Sequence, residues 1–262
     1  MQQVKTTSLI LTAFILAWLG FIPDILSSYD YELPVYVSLL KLLMVVSPIG
    51  TALFFTYKAG GRAAVKVLLR RFAYIKAPLG IVFVSLILPF IILILASLLG
   101  LLWAGEPWPD AYNAVDVLQN IGLFTVMYLV LNTEEILWRG VVFQQWCEQY
   151  GFLNANLRLA PIWWLFHMPY FVASGGHQAG YGLMEFTMLV VPSTFILGWI
   201  YHRSNGSLFH VHLFHQLLNG VGQALPLFPV FIGGILNPVW VLDIQLTLVA
   251  GIILVAWWRN RH

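Results

Sequence analysis

Hydrophobic residues fill this chain in long runs that short polar connections separate. Runs long enough to cross roughly 30 Å of hydrocarbon lie at 7–27, 34–57, 79–104, 117–146, 156–173, 184–202, 206–225 and 238–258. The fifth to seventh runs are short or interrupted by Gly and Pro. The pattern predicts an all-α polytopic membrane protein with about eight transmembrane helices, folded as a single integral membrane domain over residues 1–262.

Composition supports a membrane protein and excludes several other classes. The chain is 60% hydrophobic and 9% charged, and its mean hydropathy of +0.83 lies outside the range of soluble domains. A net charge of +2, spread along the chain, excludes nucleic acid as a partner. A single cysteine, Cys147, excludes an internal disulfide and a cysteine-based metal cluster. The lipid bilayer is therefore the first predicted partner.

Charged residues sort to opposite sides when the predicted spans alternate. One side receives most of the basic residues, namely Lys5, Lys58, Arg62, Lys66, Arg70, Arg71, Lys76, Arg158, Arg203, Arg259 and Arg261. The other side receives most of the acids, namely Asp24, Asp30, Glu32, Glu106, Asp110, Asp116, Glu185 and Asp243. The positive-inside rule makes the basic side cytoplasmic and places both termini there. The segment 62–76 is either an amphipathic helix along the inner leaflet or an ordinary basic loop.

The sequence TEEILWR at 133–139 breaks this sorting, because it puts three charges inside a predicted span. Each ionisable group in a membrane costs about 2.5–3.5 kcal/mol and indicates a functional site. Glu135 and Arg139 are four residues apart and can pair, whereas Glu134 points about 100° away and stays free for another partner. A buried network that only fixes helix packing is the alternative. Lys41, also outside the pattern, is expected to snorkel or to pair with an acidic loop residue.

Two later spans carry further polar groups. PIWWLFHMPY contains His167, and LFHVHLFHQLLNG contains His215 and Asn219 on one helix face. These groups and Glu134 fall at similar depths, so three helices can present them to one cavity in a catalytic core at 130–225. Hydrolysis fits this set: Glu134 as the base for water, His167 orienting the water, and His215 with Asn219 donating to the oxyanion.

A metal mechanism uses the same atoms. Glu134, His167 and His215 form the one-carboxylate, two-imidazole set of catalytic Zn²⁺, with a fourth position for water. The local HExxH motif is absent, so the sequence does not choose between a metal and a glutamate mechanism.

Three motifs in order resemble those of the CPBP family (CAAX prenyl endopeptidase and Abi bacteriocin-processing proteins) of intramembrane proteases. EEILWR fits EExxxR, WLFH carries the histidine of the second motif, and HQLLN fits HxxxN. The resemblance implies eight helices around a polar cavity open to the cytoplasm and to lipid. It makes Glu134 catalytic and Arg139 structural, and it implies cleavage of a lipid-anchored or hydrophobic peptide, in one branch after a prenylated cysteine. Trp163 departs from the usual phenylalanine four residues before His167.

Several alternatives stay open. His210 and His212 are either packing residues or, for His212, a further imidazole at the site. A transporter or proton relay would also use buried Glu and His residues, although no inverted repeat is evident. A non-catalytic immunity or partner protein on the same scaffold is the third function class. The expected location is the inner membrane of a bacterium or archaeon.

Overall fold

The computed structural model describes residues 4–173 and 180–259, and over these residues it is all-helical, with no strand. The helices are α1 (Thr6–Ser27), α2 (Leu42–Arg70), α3 (Leu79–Leu86), α4 (Leu88–Ala104), α5 (Ala114–Leu131), α6 (Glu134–Leu137), α7 (Gln144–Phe166), α8 (Pro169–Val172), α9 (Leu183–Arg203), α10 (Leu208–Ala224) and α11 (Asn237–Arg259). A 3-10 helix, Val35–Lys41, leads into α2, and a π-helical turn, Trp138–Phe143, joins α6 to α7. The predicted all-α class is confirmed. Arg261 of the basic set lies outside the described residues.

The number of membrane-spanning helices differs from the prediction. Within the described residues, 5 helices are long and apolar enough to cross a membrane, and the bent pair α3–α4 makes a sixth if it counts as one span. The chain is therefore an integral membrane protein by composition and helix length. The predicted eight spans are not reproduced, because α10 has only 17 residues and the run 156–173 is interrupted at His167.

The predicted span 117–146 is wrong as a single helix. α5 ends at Leu131, and Asn132 (φ −89°, ψ 100°) and Thr133 (φ −104°, ψ 16°) leave the helical conformation. The Asn132 Oδ1 atom then accepts a hydrogen bond of 3.2 Å from the Glu134 backbone N–H. Side-chain amides of this kind compete with helical hydrogen bonding and favour breaks. Glu134 consequently opens a new helix instead of lying in the middle of one.

The predicted span 156–173 is interrupted as well. α7 ends at Phe166, and His167 follows it with φ −89° and ψ 0°. Pro169, which has no N–H to donate, begins the short helix α8. His167 thus lies in a bend between two helices and not on one face of a continuous span.

α2 changes direction at two glycines. Gly60 and Gly61 have non-helical backbone angles, and the φ of 62° at Gly61 is in the left-handed region that glycine tolerates. The arm from Arg62 to Arg70 is therefore a separate helical segment with its arginines and Lys66 exposed. The predicted helix in the basic segment is present up to Arg70, and its place at the inner leaflet stays a prediction.

α10 lies at the centre of the fold and packs against α3, α4, α5 and α9. Its contact with α5 is close, since a Cβ added at Gly220 would lie 2.6 Å from Thr125 Cα. Small residues allow such backbone approach between membrane helices. α5 contributes no buried residue to the fold, so much of its surface is exposed.

Two residues whose roles the sequence did not decide, Lys41 and His210, have partners in the structure. Lys41 forms an ion pair with Asp24, an acidic residue that lies in α1 and not in a loop as expected. His210 is buried, with its Nε2 3.0 Å from the Ile75 carbonyl and its Nδ1 2.8 Å from Ser85 Oγ. These bonds join α10 to α3 and to the connection before it, so His210 is a packing residue.

Candidate active site

The three motif-bearing segments meet at one cavity of about 140 Å³. Its polar wall includes Glu134 from α6, His167 from the bend after α7, and His215 with Asn219 from α10. The remaining lining residues are Tyr128, Asn132, Trp163, Tyr170, Tyr181, Phe186, Leu189, Val190, Ser193, Leu197, Leu218 and Phe228. A space of this size holds several waters, since one water needs about 10–15 Å³ by this measure.

Glu134 is held by two indole groups. Its Oε2 atom accepts a hydrogen bond of 2.8 Å from Trp163 Nε1 and one of 3.3 Å from Trp138 Nε1. An indole N–H only donates, so both contacts suit a carboxylate oxygen. The two tryptophans therefore fix the position of this carboxylate at the cavity wall.

His167 presents a bare ring nitrogen to Glu134. Its Nδ1 atom lies 2.7 Å from the Trp163 carbonyl oxygen, which can only accept, so Nδ1 carries the proton. In the neutral ring the Nε2 atom is then an acceptor, and it lies 3.8 Å from Glu134 Oε2. Two acceptors at this separation can share one water that donates a hydrogen to each.

Glu135 has different partners from Glu134, although it is the next residue. It is fully buried, and its Oε1 atom accepts from Arg139 Nη1 at 2.9 Å and from His215 Nδ1 at 2.7 Å. The predicted separation of the two glutamates is thus what the structure has. Because Nδ1 of His215 donates to Glu135, its Nε2 accepts in the neutral ring and donates only in the imidazolium.

Arg139 links this pair to Glu134 through Trp163. Its guanidinium carbon lies 4.4 Å from the centroid of the Trp163 ring, a cation–π contact. Among the described residues, Arg139 Nε and Nη2 have no hydrogen-bond partner. The face of the indole therefore offsets part of the cost of burying this charge, while the indole edge holds Glu134.

Asn219 is the neutral donor at the cavity. Its Nδ2 atom donates to Gln216 Oε1 at 3.3 Å, and the amide nitrogen has a second hydrogen. Unlike His215 Nε2, this donor does not depend on a protonation state. The sequence predicts that His215 and Asn219 both donate to the oxyanion. The tautomer of His215 means that, in its neutral form, only Asn219 can donate into the cavity.

Comparison with known proteins identifies the segment that contains these residues. Residues 117–221 match the family model for Rce1-like proteins, described as type II CAAX prenyl endopeptidase Rce1-like. This segment of the chain is thus similar to the Rce1-like family. The predicted kinship with CPBP intramembrane proteases is thereby confirmed. No curated protein matches the chain closely enough to count as a relative.

A second cavity, the apolar groove, adjoins the first on the side of α2. Its volume is about 160 Å³, and Tyr128, Asn132, Glu134 and Tyr170 belong to both cavities. The other lining residues are Met44, Val45, Pro48, Met127, Leu131 and Thr133. Met127 and Leu131 are also exposed on the outer surface of α5. The groove therefore extends from the outer surface of α5 to Glu134.

The zinc mechanism stays a prediction. No group of three or more His, Cys, Asp or Glu side chains in the described part of the chain is arranged to hold a metal ion. His167 and His215 each direct Nδ1 at an acceptor, which leaves Nε2 of both rings available, and the two indoles bind only the Oε2 atom of Glu134. This donor set is compatible with either a metal or a glutamate mechanism.

The side on which the site opens also stays a prediction. The lining residues of α9 run from Phe186 to Leu197, nearer the Leu183 end than the end that carries Arg203. Basic Arg71 instead contacts the Gly140 carbonyl at 3.1 Å, away from this cavity. The described residues therefore give no support to a cytoplasmic opening.

Sequence reasoning missed two residues that shape the site, Trp138 and Gln216, and it gave Trp163 a structural place without its hydrogen bond to Glu134. Spacing carries a signal for each. Trp138 is four residues after Glu134, Trp163 four before His167, and Gln216 three before Asn219, so each shares a helix face with a motif residue.

Proposed function

We propose that this chain is an intramembrane endopeptidase that hydrolyses a peptide bond in a membrane-associated protein or peptide, with Glu134 as the base that activates water. The observation that carries the proposal is the 3.8 Å separation of Glu134 Oε2 and His167 Nε2 at the wall of a cavity inside the Rce1-like segment. A water that donates to both acceptors keeps its oxygen lone pairs free for attack on a carbonyl carbon.

The hydrolysis balances with the groups at this cavity. The water oxygen bonds to the carbonyl carbon while Glu134 takes a proton from it, and the carbonyl electron pair moves onto oxygen. Asn219 Nδ2 donates to that oxyanion. When the C–N bond breaks, the leaving amine takes the proton from Glu134, and the products are a carboxylic acid and an amine. Glu135 and Arg139 contact none of the reacting atoms and act by holding His215 and Trp163.

The apolar groove supports a hydrophobic or lipid-anchored substrate. Except for Asn132, Glu134 and Thr133, its lining is apolar or aromatic, and it begins at exposed residues of α5. A hydrophobic chain could thus move from lipid to Glu134 without crossing water. The family that residues 117–221 match is that of type II CAAX prenyl endopeptidases, so a peptide with a C-terminal prenylated cysteine motif is the substrate to test first.

The test uses the full-length protein in detergent, with matched farnesylated and unmodified peptides ending in a CAAX sequence and a third, purely hydrophobic peptide. Mass spectrometry of the products maps the cut sites. We expect wild-type protein to remove three residues from the farnesylated peptide and Glu134→Gln to remove none. Cleavage by Glu134→Gln at the wild-type rate would overturn the role of Glu134, and no cleavage of any peptide by wild type would overturn the proposed function.

A liposome assay separates this proposal from the other function classes. Substrate- or ion-coupled uptake by wild-type protein, without any peptide product, would identify a transporter or proton relay. Neither uptake nor cleavage would point to a non-catalytic partner protein.

A further inference from the structure

We propose that His212 and Gln216 are positioning residues that form a hydrogen-bond relay from the end of α5 to Asn219 and so set which atom of the Asn219 amide serves the oxyanion. The inference rests on the proposed function, because it concerns the orientation of a donor in that reaction. Neither His212 nor Gln216 lines the cavity.

The relay starts where α5 breaks. The last carbonyls of a helix lack intrahelical partners, and α5 ends at Leu131. The Tyr128 carbonyl accepts from the Asn132 N–H at 3.0 Å, whereas the Leu129 carbonyl lies 2.9 Å from His212 Nε2. Since a carbonyl only accepts, Nε2 of His212 carries the proton. His212 therefore caps the helix whose termination allows Glu134 to begin the next one.

The donor and acceptor of each later hydrogen bond follow from the bond before it. With Nε2 protonated, Nδ1 of neutral His212 accepts, and Gln216 Nε2 lies 3.4 Å from it as the donor. The other end of the Gln216 amide, Oε1, is then turned towards Asn219 and accepts from its Nδ2 at 3.3 Å. A fixed backbone carbonyl thus determines the orientation of a side chain at the cavity three links away.

Burial makes the orientation of Asn219 depend on the relay. Gln216 is fully buried, so water does not replace a lost partner within the helix packing. An asparagine amide has nearly the same shape after a half turn that exchanges oxygen and nitrogen. Shape alone therefore does not orient Asn219, but the Gln216 acceptor does. Without it, the carbonyl oxygen of Asn219 can face the developing oxyanion and repel it.

The experiment compares four single variants in the peptide assay after the Glu134-dependent cleavage by wild type has been established. Gln216→Met keeps side-chain length but removes both links, and His212→Phe breaks the relay one link earlier. Gln216→Glu keeps an acceptor towards Asn219, whether the shared proton is on the carboxyl or on His212. Gln245→Met is the matched control, because it makes the same exchange in α11, away from the cavity.

We expect Gln216→Met and His212→Phe to lower kcat by roughly 10-fold or more with KM changed less than about 2-fold, as a lost oxyanion donor costs at most about 10²–10³. Gln216→Glu should retain several-fold more activity than Gln216→Met, and Gln245→Met should match wild type. The decisive result is the double variant: in an Asn219→Ala background, neither relay substitution should lower kcat further.

Two results would overturn the relay. One is additive loss, in which Gln216→Met lowers kcat as much in the Asn219→Ala background as in wild type. The other is wild-type kcat in both Gln216→Met and His212→Phe. If one of these variants fails to accumulate in the membrane, the other gives the same test. Absence of cleavage by the wild-type protein is a separate outcome, which refutes the proposed function itself.

Discussion

The Trp163 indole nitrogen lies 2.8 Å from Glu134 Oε2, while the Arg139 guanidinium carbon lies 4.4 Å from the centroid of the same indole ring. One side chain thus contacts the proposed base at its edge and the buried cation on its face. This arrangement separates two contributions of Trp163, a hydrogen bond and an aromatic surface, that substitution can remove individually.

Trp163→Phe should reduce catalysis more than stability. Phenylalanine keeps a ring face for Arg139 but loses the N–H that holds Glu134, and a hydrogen bond to a charged group contributes about 1.5–3 kcal/mol. We expect kcat/KM to fall roughly 10-fold or more, since 1.4 kcal/mol corresponds to about a factor of 10. Steady-state cleavage of the farnesylated peptide measures this.

Trp164→Phe is the matched control for that substitution. Trp164 Nε1 is buried and has no hydrogen-bond partner among the described residues, so its removal leaves no acceptor unpaired. Its kcat/KM should stay at the wild-type value. Equal losses in the two variants would mean that ring size, and not the bond to Glu134, determines the effect.

The two adjacent glutamates should differ in their effect on stability. Glu135→Gln leaves Arg139 buried beside a neutral amide, and breaking a buried ion pair costs about 3–5 kcal/mol. Glu134→Gln keeps an oxygen that can accept from Trp138 and Trp163. Thermal unfolding in detergent should therefore show a lowered midpoint for Glu135→Gln and an unchanged one for Glu134→Gln. A larger drop for Glu134→Gln would contradict this division of roles.

Val45→Trp should block the apolar groove. Val45 lines the groove, whereas its neighbour Val46 is 53% exposed and does not. The larger side chain should raise KM for a farnesylated or hydrophobic peptide by about 10-fold, because little of the lost apolar burial is recovered elsewhere. Titration of peptide against initial rate gives KM. Val46→Trp should leave KM unchanged, and a similar rise in both variants would exclude the groove as the substrate path.

Gly220→Ala should weaken the packing of α5 on α10. An added Cβ would lie 2.6 Å from Thr125 Cα, and overpacking of this kind costs about 1–3 kcal/mol. Since Gly220 follows Asn219, activity should fall together with the unfolding midpoint. Gly251→Ala, where a Cβ would meet no atom within 4 Å, should change neither. An unaltered midpoint in Gly220→Ala would show that α5 can move away without cost.

The sequence predicted much of the site because its polar residues are costly inside a membrane. Hydropathy gave α1, α9, α10 and α11 to within a few residues, and helix spacing separated Glu135, which pairs with Arg139, from Glu134. Each of these features depends on local spacing or on the cost of burying charge, and both can be read along a chain.

The breaks were missed because hydropathy does not detect them. Asn132 and Thr133 are two polar residues in an apolar run, and the average over a span hides them. The choice of Glu135 as the partner of His215 depends on how α6 and α10 pack, which no spacing within either helix specifies. Orientation relative to the bilayer rests on charge sorting alone and stays a prediction.

The wall shared by the two cavities has a consequence for how substrates would be chosen. Four side chains line both the apolar groove and the polar cavity, namely Tyr128, Asn132, Glu134 and Tyr170. In the proposed reaction, only the width of these side chains would separate the hydrophobic part of a substrate from the attacking water. The partitioning of a peptide into the bilayer beside α5, more than its amino-acid sequence, would then govern how often it is cleaved. An effective inhibitor would need a hydrophobic tail joined directly to a polar group.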